Sequence, residues 1–418
     1  MENNNVKVVI MAGGKGTRIA GISSNNPKPM LSIHGKPILE WQIECLKKLG
    51  FTEIILVIGY KGHIIQDYFG DGSKFYMHIE YITETEPLGT AGSLYFLKKK
   101  ITKDFLLLNG DLIFDVDINR FVEYHMKSEA VVTLFTHPND HPYDSGIIVA
   151  DRNHRVHKWL HKEDNREWYK NRVNAGLHMI SPKLFKQFKY LKKLDLDRDI
   201  LEPMIPTGTL FCYDSPEYVK DIGTPERFYE VEGDIKSGKL EKKNLNTKQK
   251  AVFLDRDGTI NKYVGFLKNI NDFELITGVA ELIRKINSLG YLVIVVTNQP
   301  VIARGEVTWE ELNEIHDKME TLLGQQGAYL DDIFICPHHP DKGFEGEKIE
   351  YKIICDCRKP KPGMLLQAAE KYNIDLSHSY IIGDSESDIQ AGRAAGCKVF
   401  RYNQDRTFLD FFKSIVAD

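Results

Sequence analysis

Two carboxylates one residue apart, Asp255 and Asp257, close the apolar run Ala251–Leu254, with Gly258 and Thr259 directly behind them. A short apolar run bounded by polar residues reads as a buried strand. Ligands of open parallel sheets bind beyond the carboxyl ends of the strands, so both acids would face a crevice. There they can hold a metal ion, and one can attack an electrophile such as phosphorus. A lone Asp-x-Asp-Gly is more often an acidic turn; Thr259 and the later segments make this one specific. The apolar run at 292–296 ends in Thr297-Asn298-Gln299, whose hydroxyl and amides suit phosphate oxygens. The run at 380–382 leads into Gly383-Asp384-Ser385-Glu386-Ser387-Asp388, a third strand end bearing acids.

Sulfur supplies a second chemistry. Cys336-Pro-His338-His339 and Cys355-Asp-Cys357-Arg358-Lys359 flank a polar loop, while Cys45, Cys212 and Cys397 are scattered. Paired sulfur and nitrogen ligands on either side of a loop are a zinc signature, and four protein ligands close the shell and make the site structural. Cys336, His338, Cys355 and Cys357 are the expected set, with His339 the second choice for the nitrogen. Their task would be to tie down the loop that carries Arg358 and Lys359.

The first half has a different pattern. An apolar run at 6–11 stops at Ala12-Gly13-Gly14-Lys15-Gly16-Thr17-Arg18, where glycines let backbone N–H groups approach an anion. Lys15 and Arg18 add positive charge, and Arg18 can grip phosphate bidentately. Lys28 sits between Pro27 and Pro29, which stiffen the segment that aims it. Asp111 ends another apolar run in Asn109-Gly110-Asp111, and Asp221 opens Asp221-Ile222-Gly223-Thr224-Pro225.

The elements that must carry these residues alternate. Helices are expected over 37–49, 64–69, 92–100 and 278–289, and strands over 54–58, 78–82, 104–108, 251–254 and 292–296. Such alternation argues for parallel sheets covered on both faces, here two doubly wound α/β domains. The basic, polar stretch 235–250 reads as a helix end followed by a solvated linker. The expected division is 1–240, a linker at 241–249, and 250–418. At 418 residues the chain has ample length for two cores. A net charge of −4 argues against nucleic-acid or anionic-membrane partners. With no long apolar run, no signal pattern and clustered cysteines, the expected location is cytoplasmic.

Taken in order, Gly13-Gly14-Lys15-Gly16-Thr17-Arg18, Pro27-Lys28-Pro29, Leu88-Gly89-Thr90-Ala91-Gly92, Asn109-Gly110-Asp111, Asn174-Ala175-Gly176 and Asp221-Ile222-Gly223-Thr224-Pro225 resemble the nucleotidyltransferases that join a sugar 1-phosphate to a nucleoside triphosphate. The resemblance implies that Lys15 and Arg18 hold the leaving pyrophosphate, with Gly13, Gly14, Gly16 and Thr17 in the phosphate loop. It puts Lys28 across the reacting phosphates, Gly89 near the base, Asn174 and Gly176 at the sugar, and Mg²⁺ on Asp111 and Asp221. Many relatives show Phe-x-Glu-Lys-Pro where this chain reads Trp159-Leu160-His161-Lys162-Glu163, so His161 replaces the sugar-binding Glu while Lys162 keeps its register.

Asp255, Thr297, Lys359 and Asp384 resemble the four landmarks of the haloacid dehalogenase-like phosphatases. With the zinc pattern and Asn298-Gln299-x-x-Ile302-Ala303-Arg304-Gly305, they resemble the capless heptose 1,7-bisphosphate phosphatases and the related histidinol phosphatases. That likeness implies Asp255 as nucleophile and Asp257 as general acid and base. Mg²⁺ would sit on Asp255, the Asp257 carbonyl and Asp384, with Asp388 orienting its neighbours. Lys359 and Arg358 would meet the phosphoryl group, and Arg304 a distal phosphate. Pro300-Val301 stands where those families show Ser-Gly. Together the halves imply small-molecule substrates and consecutive steps toward a nucleotide-activated heptose, with GTP the expected donor. The alternatives are a histidinol phosphatase joined to a mannose-1-phosphate guanylyltransferase, or a phosphatase governed by a nucleotide-sugar sensor.

Overall fold

The computed structural model describes residues 6–14, 16, 19, 26–403 and 407–417. By contacts the chain forms two compact units. The first comprises Met1–His137, Ile148–Trp159 and Asn174–Asn244; the second comprises Pro138–Ile147, Leu160–Val173 and Leu245–Asp418.

In the first unit, β-branched and leucine-rich runs form strands buried on both faces. β1 (Val8–Ala12), β2 (Glu53–Ile58), β3 (His78–Thr83) and β4 (Phe105–Asn109) are parallel, in the spatial order β3-β2-β1-β4. Val8, Val9 and Ile10 lose all exposure, as expected where helices cover both sides of a sheet. Beyond β4 the sheet departs from the expected parallel plan. After β5 (Leu112–Asp115), β6 (Val132–His137), β7 (Ile147–Ala150) and β8 (Val156–Leu160), the long β9 (Val173–Ile180) runs antiparallel to β4. β10 (Leu210–Asp214) pairs with β6, and β11 (Tyr218–Asp221) pairs antiparallel with β5 in a separate ribbon. The sheet is therefore mixed.

The helix Pro225–Lys236 follows β11. Pro225 takes its first position, and the Thr224 hydroxyl accepts from the Arg227 N–H as its cap. The stretch 235–250 opens, as expected, on a helix end at Lys236, but the part expected to be a solvated linker is not a free tether. Lys239–Lys242 form a short helix, and Lys243, Leu245 and Gln249 are buried. Two of these are polar, which is why composition alone read the stretch as exposed.

The second unit is built on five parallel strands: β12 (Ala251–Leu254), β13 (Leu292–Asn298), β14 (Asp332–Cys336), β15 (Tyr380–Gly383) and β16 (Lys398–Arg401). Their order is β14-β13-β12-β15-β16. The helix Val279–Ser288 buries Val279, Leu282, Ile283 and Ile286 at helical spacing against this sheet's core. The helix Trp309–Gly324 starts with a capping box, Thr308 accepting from Glu311 N–H while the Glu311 carboxylate accepts from Thr308 N–H.

That helix also holds the segment Leu160–Val173. Glu320 accepts from Asn171 N–H at 3.0 Å and from Arg172 Nη1 at 3.3 Å, and Arg172 Nη2 donates to the Asp331 carbonyl at 2.9 Å. The Thr321 hydroxyl accepts from Tyr169 N–H at 2.9 Å. Burial pushes the Glu320 carboxyl up, and Arg172 and Lys170 pull it back. Removing one partner of a buried pair leaves the other charge uncompensated. Arg172→Ala is therefore expected to cost the second unit ~3–5 kcal/mol, read as a lowered urea midpoint against wild type.

Candidate active sites

The parallel strands of each large sheet have one place where strand order reverses, and there neighbouring connections leave in opposite directions and open a crevice. In the second unit this lies between β12 and β15. Asp255 follows β12 and Asp384 follows β15, and the Asp255 N–H donates to the Ile382 carbonyl at 2.9 Å, locking the two strand tips together. Asp255, Asp384 and Asp388 bring carboxylate oxygens within 4.8 Å of one another. Gly258 permits this approach: its φ is +80°, and a Cβ there would stand 2.1 Å from Asp384 Oδ2.

Lys359 reaches into the cluster with almost no exposure. Its ammonium donates to Asp255 Oδ1 at 2.7 Å and to the Val296 carbonyl at 2.7 Å, and pairs with Asp388 Oδ1 at 2.6 Å. Burial alone would favour a neutral amine, but Asp255 and Asp388 outweigh it and hold the ammonium above its usual range. Burial pushes the Asp255 carboxyl up to about 7; Lys359 opposes this and Asp388 adds to it. With all three ionised, three carboxylates and one ammonium leave a surplus of two negative charges around a crevice in which Asp388 is buried and Asp384 partly exposed. Hard oxygen donors with such a surplus fit a divalent cation of the magnesium type.

Asp388 also accepts from Ser385 N–H at 3.1 Å, capping the helix Glu386–Ala395. The Asn298 amide is committed to main chain: it donates to the Lys359 carbonyl and accepts from the Lys359 N–H, both at 3.0 Å. Thr297 is fully buried and its hydroxyl accepts from Gln299 at 2.8 Å. Arg304 lies between two rings, 4.1 Å over Phe266 and 4.5 Å over Phe344, and its Nε is buried without a hydrogen-bond partner among the described residues. Arg358 donates to the His338 carbonyl at 3.1 Å.

Cys336, His338, Cys355 and Cys357 converge as one cluster. Their sulfurs stand 3.2 to 3.6 Å apart, and His338 Nδ1 lies 3.3 Å from Cys357 Sγ. Interactions with Cys336, and then with Cys355 and His338, draw the Cys357 thiol down to about 5, toward the thiolate. Four soft donors around one point can hold a metal, and their type suits zinc, whose tetrahedral sulfur ligands at about 2.3 Å lie slightly farther apart. His339 is outside the cluster; its N–H donates to the Tyr351 carbonyl.

In the first unit the reversal lies between β1 and β4. A cavity of about 900 Å³ opens there, lined by Gly13, Gly14, Gly16, Lys28, Gly89, Asp111 and others. Lys28 forms a close ion pair with Asp111. Asp221 is the register partner of Leu112, and the Ile222 N–H donates to the Asp111 carbonyl at 2.9 Å, so both acids stand at adjacent strand ends. The Asp221 carboxylate pairs with Arg227 at 2.6 Å. Gly89, at φ +78°, passes so close to Leu194 that a Cβ would meet its carbonyl oxygen at 2.3 Å. Asn174 accepts from Gly176 N–H at 3.2 Å, and Gly176 packs on Asn109, a cavity residue. Neither Asn174 nor Gly176 lines the cavity itself, and Lys162 is not among its lining residues either. Lys15, Thr17 and Arg18 lie outside the described residues.

Residues 7–238, more than half of the chain, match the family model described as nucleotidyl transferase. The chain belongs to the nucleotidyl transferase family. In this nucleotidyl transferase, residues 356–407 match a second model, described as HAD-hydrolase-like. A D-glycero-beta-D-manno-heptose-1,7-bisphosphate 7-phosphatase from Yersinia pestis is 45% identical over 151 residues, which is 36% of this chain and 78% of that protein. Such identity places the C-terminal region in that phosphatase family as well. Among solved structures, HddC from Yersinia pseudotuberculosis complexed with GMP-PN is 29% identical, covering 55% of this chain and 99% of that one with a TM-score of 0.48. A putative glucose-1-phosphate thymidylyltransferase from Bacillus anthracis, in complex with a sucrose, is 21% identical over 55% of this chain and 94% of that one. Its TM-score of 0.50 shows a shared fold. This nucleotidyl transferase is therefore bifunctional, with phosphatase chemistry in its C-terminal region. No described helix is long and apolar enough to cross a membrane.

Several site residues were missed in the sequence. Glu84, whose pKa is raised by burial and one of whose carboxylate oxygens is buried with no hydrogen-bond partner among the described residues, lines the cavity five residues before Gly89. Lys193 lines it too, from a stretch with no motif of its own. Arg256, Gln299 and Asn261 surround Asp257. Gln299 directly follows Thr297-Asn298, and Arg256 stands between Asp255 and Asp257, so their positions were the available signal.

The glycine contact yields a direct test. Gly258→Ala, which forces Asp384 away from Asp255, is expected to raise the magnesium concentration for half-maximal phosphatase activity by roughly tenfold, about 1.4 kcal/mol. Phosphate release against magnesium concentration measures it, with unchanged circular dichroism as the folding control.

Proposed function

We propose that the chain performs two consecutive steps toward a nucleotide-activated heptose. The observation that carries this reading is a pairing on one chain. The C-terminal region is akin to enzymes named for removing the 7-phosphate of a heptose 1,7-bisphosphate, and the N-terminal region belongs to a family of nucleotidyl transferases. Loss of the C7 phosphate leaves a sugar 1-phosphate, the kind of acceptor a sugar-1-phosphate nucleotidyltransferase consumes.

In the phosphatase half the substrate is D-glycero-D-manno-heptose 1,7-bisphosphate. An Asp255 oxygen attacks phosphorus as the bond from phosphorus to the C7 oxygen breaks, and Asp257 gives its proton to that oxygen. Asp257, now a carboxylate, takes a proton from water. The water oxygen attacks the aspartyl phosphate, the bond to Asp255 breaks, and orthophosphate leaves. Lys359 neutralises the phosphoryl oxygens, and Asn298 acts by fixing the Lys359 main chain. Thr297 and Arg358 border the phosphoryl group, and Arg304 holds the distal phosphate. Asp255, Asp384 and the Asp257 carbonyl would hold Mg²⁺, which when bound supplies positive charge to the phosphoryl oxygens. Cys336, His338, Cys355 and Cys357 would hold a structural zinc.

In the transferase half an oxygen of heptose 1-phosphate attacks the α-phosphorus of GTP, the α–β bridging bond breaks, and pyrophosphate leaves. No protein nucleophile is needed, so the residues position and neutralise. Gly13, Gly14, Lys15, Gly16, Thr17 and Arg18 cradle the departing phosphates, with Lys28 beside the reacting ones. Gly89 lies by the base, Asn174 and Gly176 shape the sugar site, and Asp111 and Asp221 would hold Mg²⁺. Guanine is supported by the likeness of Leu88-Gly89-Thr90-Ala91-Gly92 to guanylyl-type enzymes.

The intact chain, given heptose 1,7-bisphosphate, magnesium and each nucleoside triphosphate in turn, is expected to form nucleotide-heptose with GTP. One orthophosphate and one pyrophosphate should appear per product. Formation of no nucleotide-heptose with any triphosphate would sink the reading. Asp255→Asn should lower orthophosphate release by on the order of 10⁴-fold or more. Asp111→Asn should lower pyrophosphate release by roughly a hundredfold or more while orthophosphate release from the bisphosphate continues.

A further inference from the structure

Asp257 is gripped on all sides. Arg256, the residue between the two acids, is entirely buried, and its guanidinium folds back on the next side chain. Arg256 Nη2 donates to Asp257 Oδ1 at 3.0 Å and to Oδ2 at 2.9 Å. Gln299 Nε2 donates to Asp257 Oδ2 at 2.8 Å, while Gln299 Oε1 accepts from Arg256 Nη2 at 3.1 Å. Asn261 donates to Asp257 Oδ1 at 3.1 Å. A carboxylate otherwise turns freely about its last bond; with both oxygens claimed, this one cannot.

The other end of the guanidinium meets an unusual partner. Arg256 Nη1 donates to His316 Nε2 at 3.1 Å, from deep inside the helix Trp309–Gly324. Guanidinium has no acceptor, so His316 Nε2 must be the unprotonated nitrogen of a neutral ring. Burial, and then the charge of Arg256, keep this imidazole well below its usual range. A neutral acceptor satisfies the buried N–H without supplying a second negative charge. The positive charge of Arg256 is thereby left undivided for Asp257. A carboxylate in the place of His316 would compete for it.

We propose that Arg256 is the positioning residue that aims Asp257 for proton transfer, and that His316 fixes Arg256 in that pose. The proposal rests on the acid and base role given to Asp257 above. Proton donation matters only when the departing oxygen needs a proton. A sugar alkoxide does, and p-nitrophenolate does not. A defect confined to aiming must therefore fall on the sugar ester, whereas a general loss of packing falls on both.

The test compares His316→Leu with His316→Gln, which keeps an acceptor, in the intact chain. The readout is the rate of the first phosphoryl transfer from heptose 1,7-bisphosphate divided by that from p-nitrophenyl phosphate, in rapid-mixing experiments. His316→Leu is expected to lower this ratio about tenfold or more, through kcat and not KM, and His316→Gln to restore most of it. Arg256→Lys, which keeps charge but loses the fork, should lower the ratio in the same way. An unchanged ratio in both His316→Leu and Arg256→Lys would overturn the proposal. The underlying reading is checked separately: wild type must turn over both esters and Asp255→Asn neither.

Discussion

The second unit depends on one buried ammonium. Lys359 sits between Asp255 and Asp388 at 2.7 and 2.6 Å, with its third bond to the Val296 carbonyl. A charge so far from water persists only when paired and fully hydrogen-bonded. The partners come from three elements: the tip of β12, the end of β13 and the start of the helix Glu386–Ala395. Asn298 ties the Lys359 main chain to the same place. One side chain thus fixes where three pieces of chain meet, and still leaves two negative charges unanswered. That surplus is what makes the crevice a place for a cation and a phosphoryl group rather than a closed ionic core.

Both halves reach this condition by the same topological route. A central strand, β1 or β12, has parallel neighbours on both sides, and the chain leaves for one before returning to the other. The crevice opens where that reversal occurs, between β1 and β4 in one unit and between β12 and β15 in the other. Acids at the strand tips then face each other whatever lies between them in sequence. Asp255 and Asp384 meet across 129 positions for this reason. Glycines admit the close approach, Gly258 beside Asp384 and Gly89 beside Leu194. The two units differ in how they neutralise. The first pairs Lys28 with Asp111 in an open cavity, and the second buries Lys359.

Much of this was legible in the sequence because strand tips announce themselves. Apolar runs ending in Asp-x-Asp-Gly-Thr, in Gly-Asp-Ser and in Asn-Gly-Asp mark the parallel strands and the acids they carry. The four zinc-type ligands were readable because they come in two close pairs. What escaped reading depends on contacts with no local period. Arg256 finds Gln299 and His316 from 43 and 60 residues away, and a buried arginine beside two acids looks in sequence like one more polar loop residue. The antiparallel β9 follows a segment whose composition gives no hint of direction. Residues 160–173 join the second unit through Arg172 and Glu320, partners 148 positions apart. The buried lysine and glutamine near 243–249 show the converse error, where polar composition was taken for solvent exposure.

The central claim is that the carboxylates gathered around Lys359 form a cation site. Electron paramagnetic resonance of Mn²⁺ titrated into the purified chain measures this without any substrate. The account predicts that wild type binds one more Mn²⁺ per chain with high affinity than Asp384→Asn, and that orthophosphate tightens that ion's binding. Equal stoichiometry and affinity in the two proteins would contradict it.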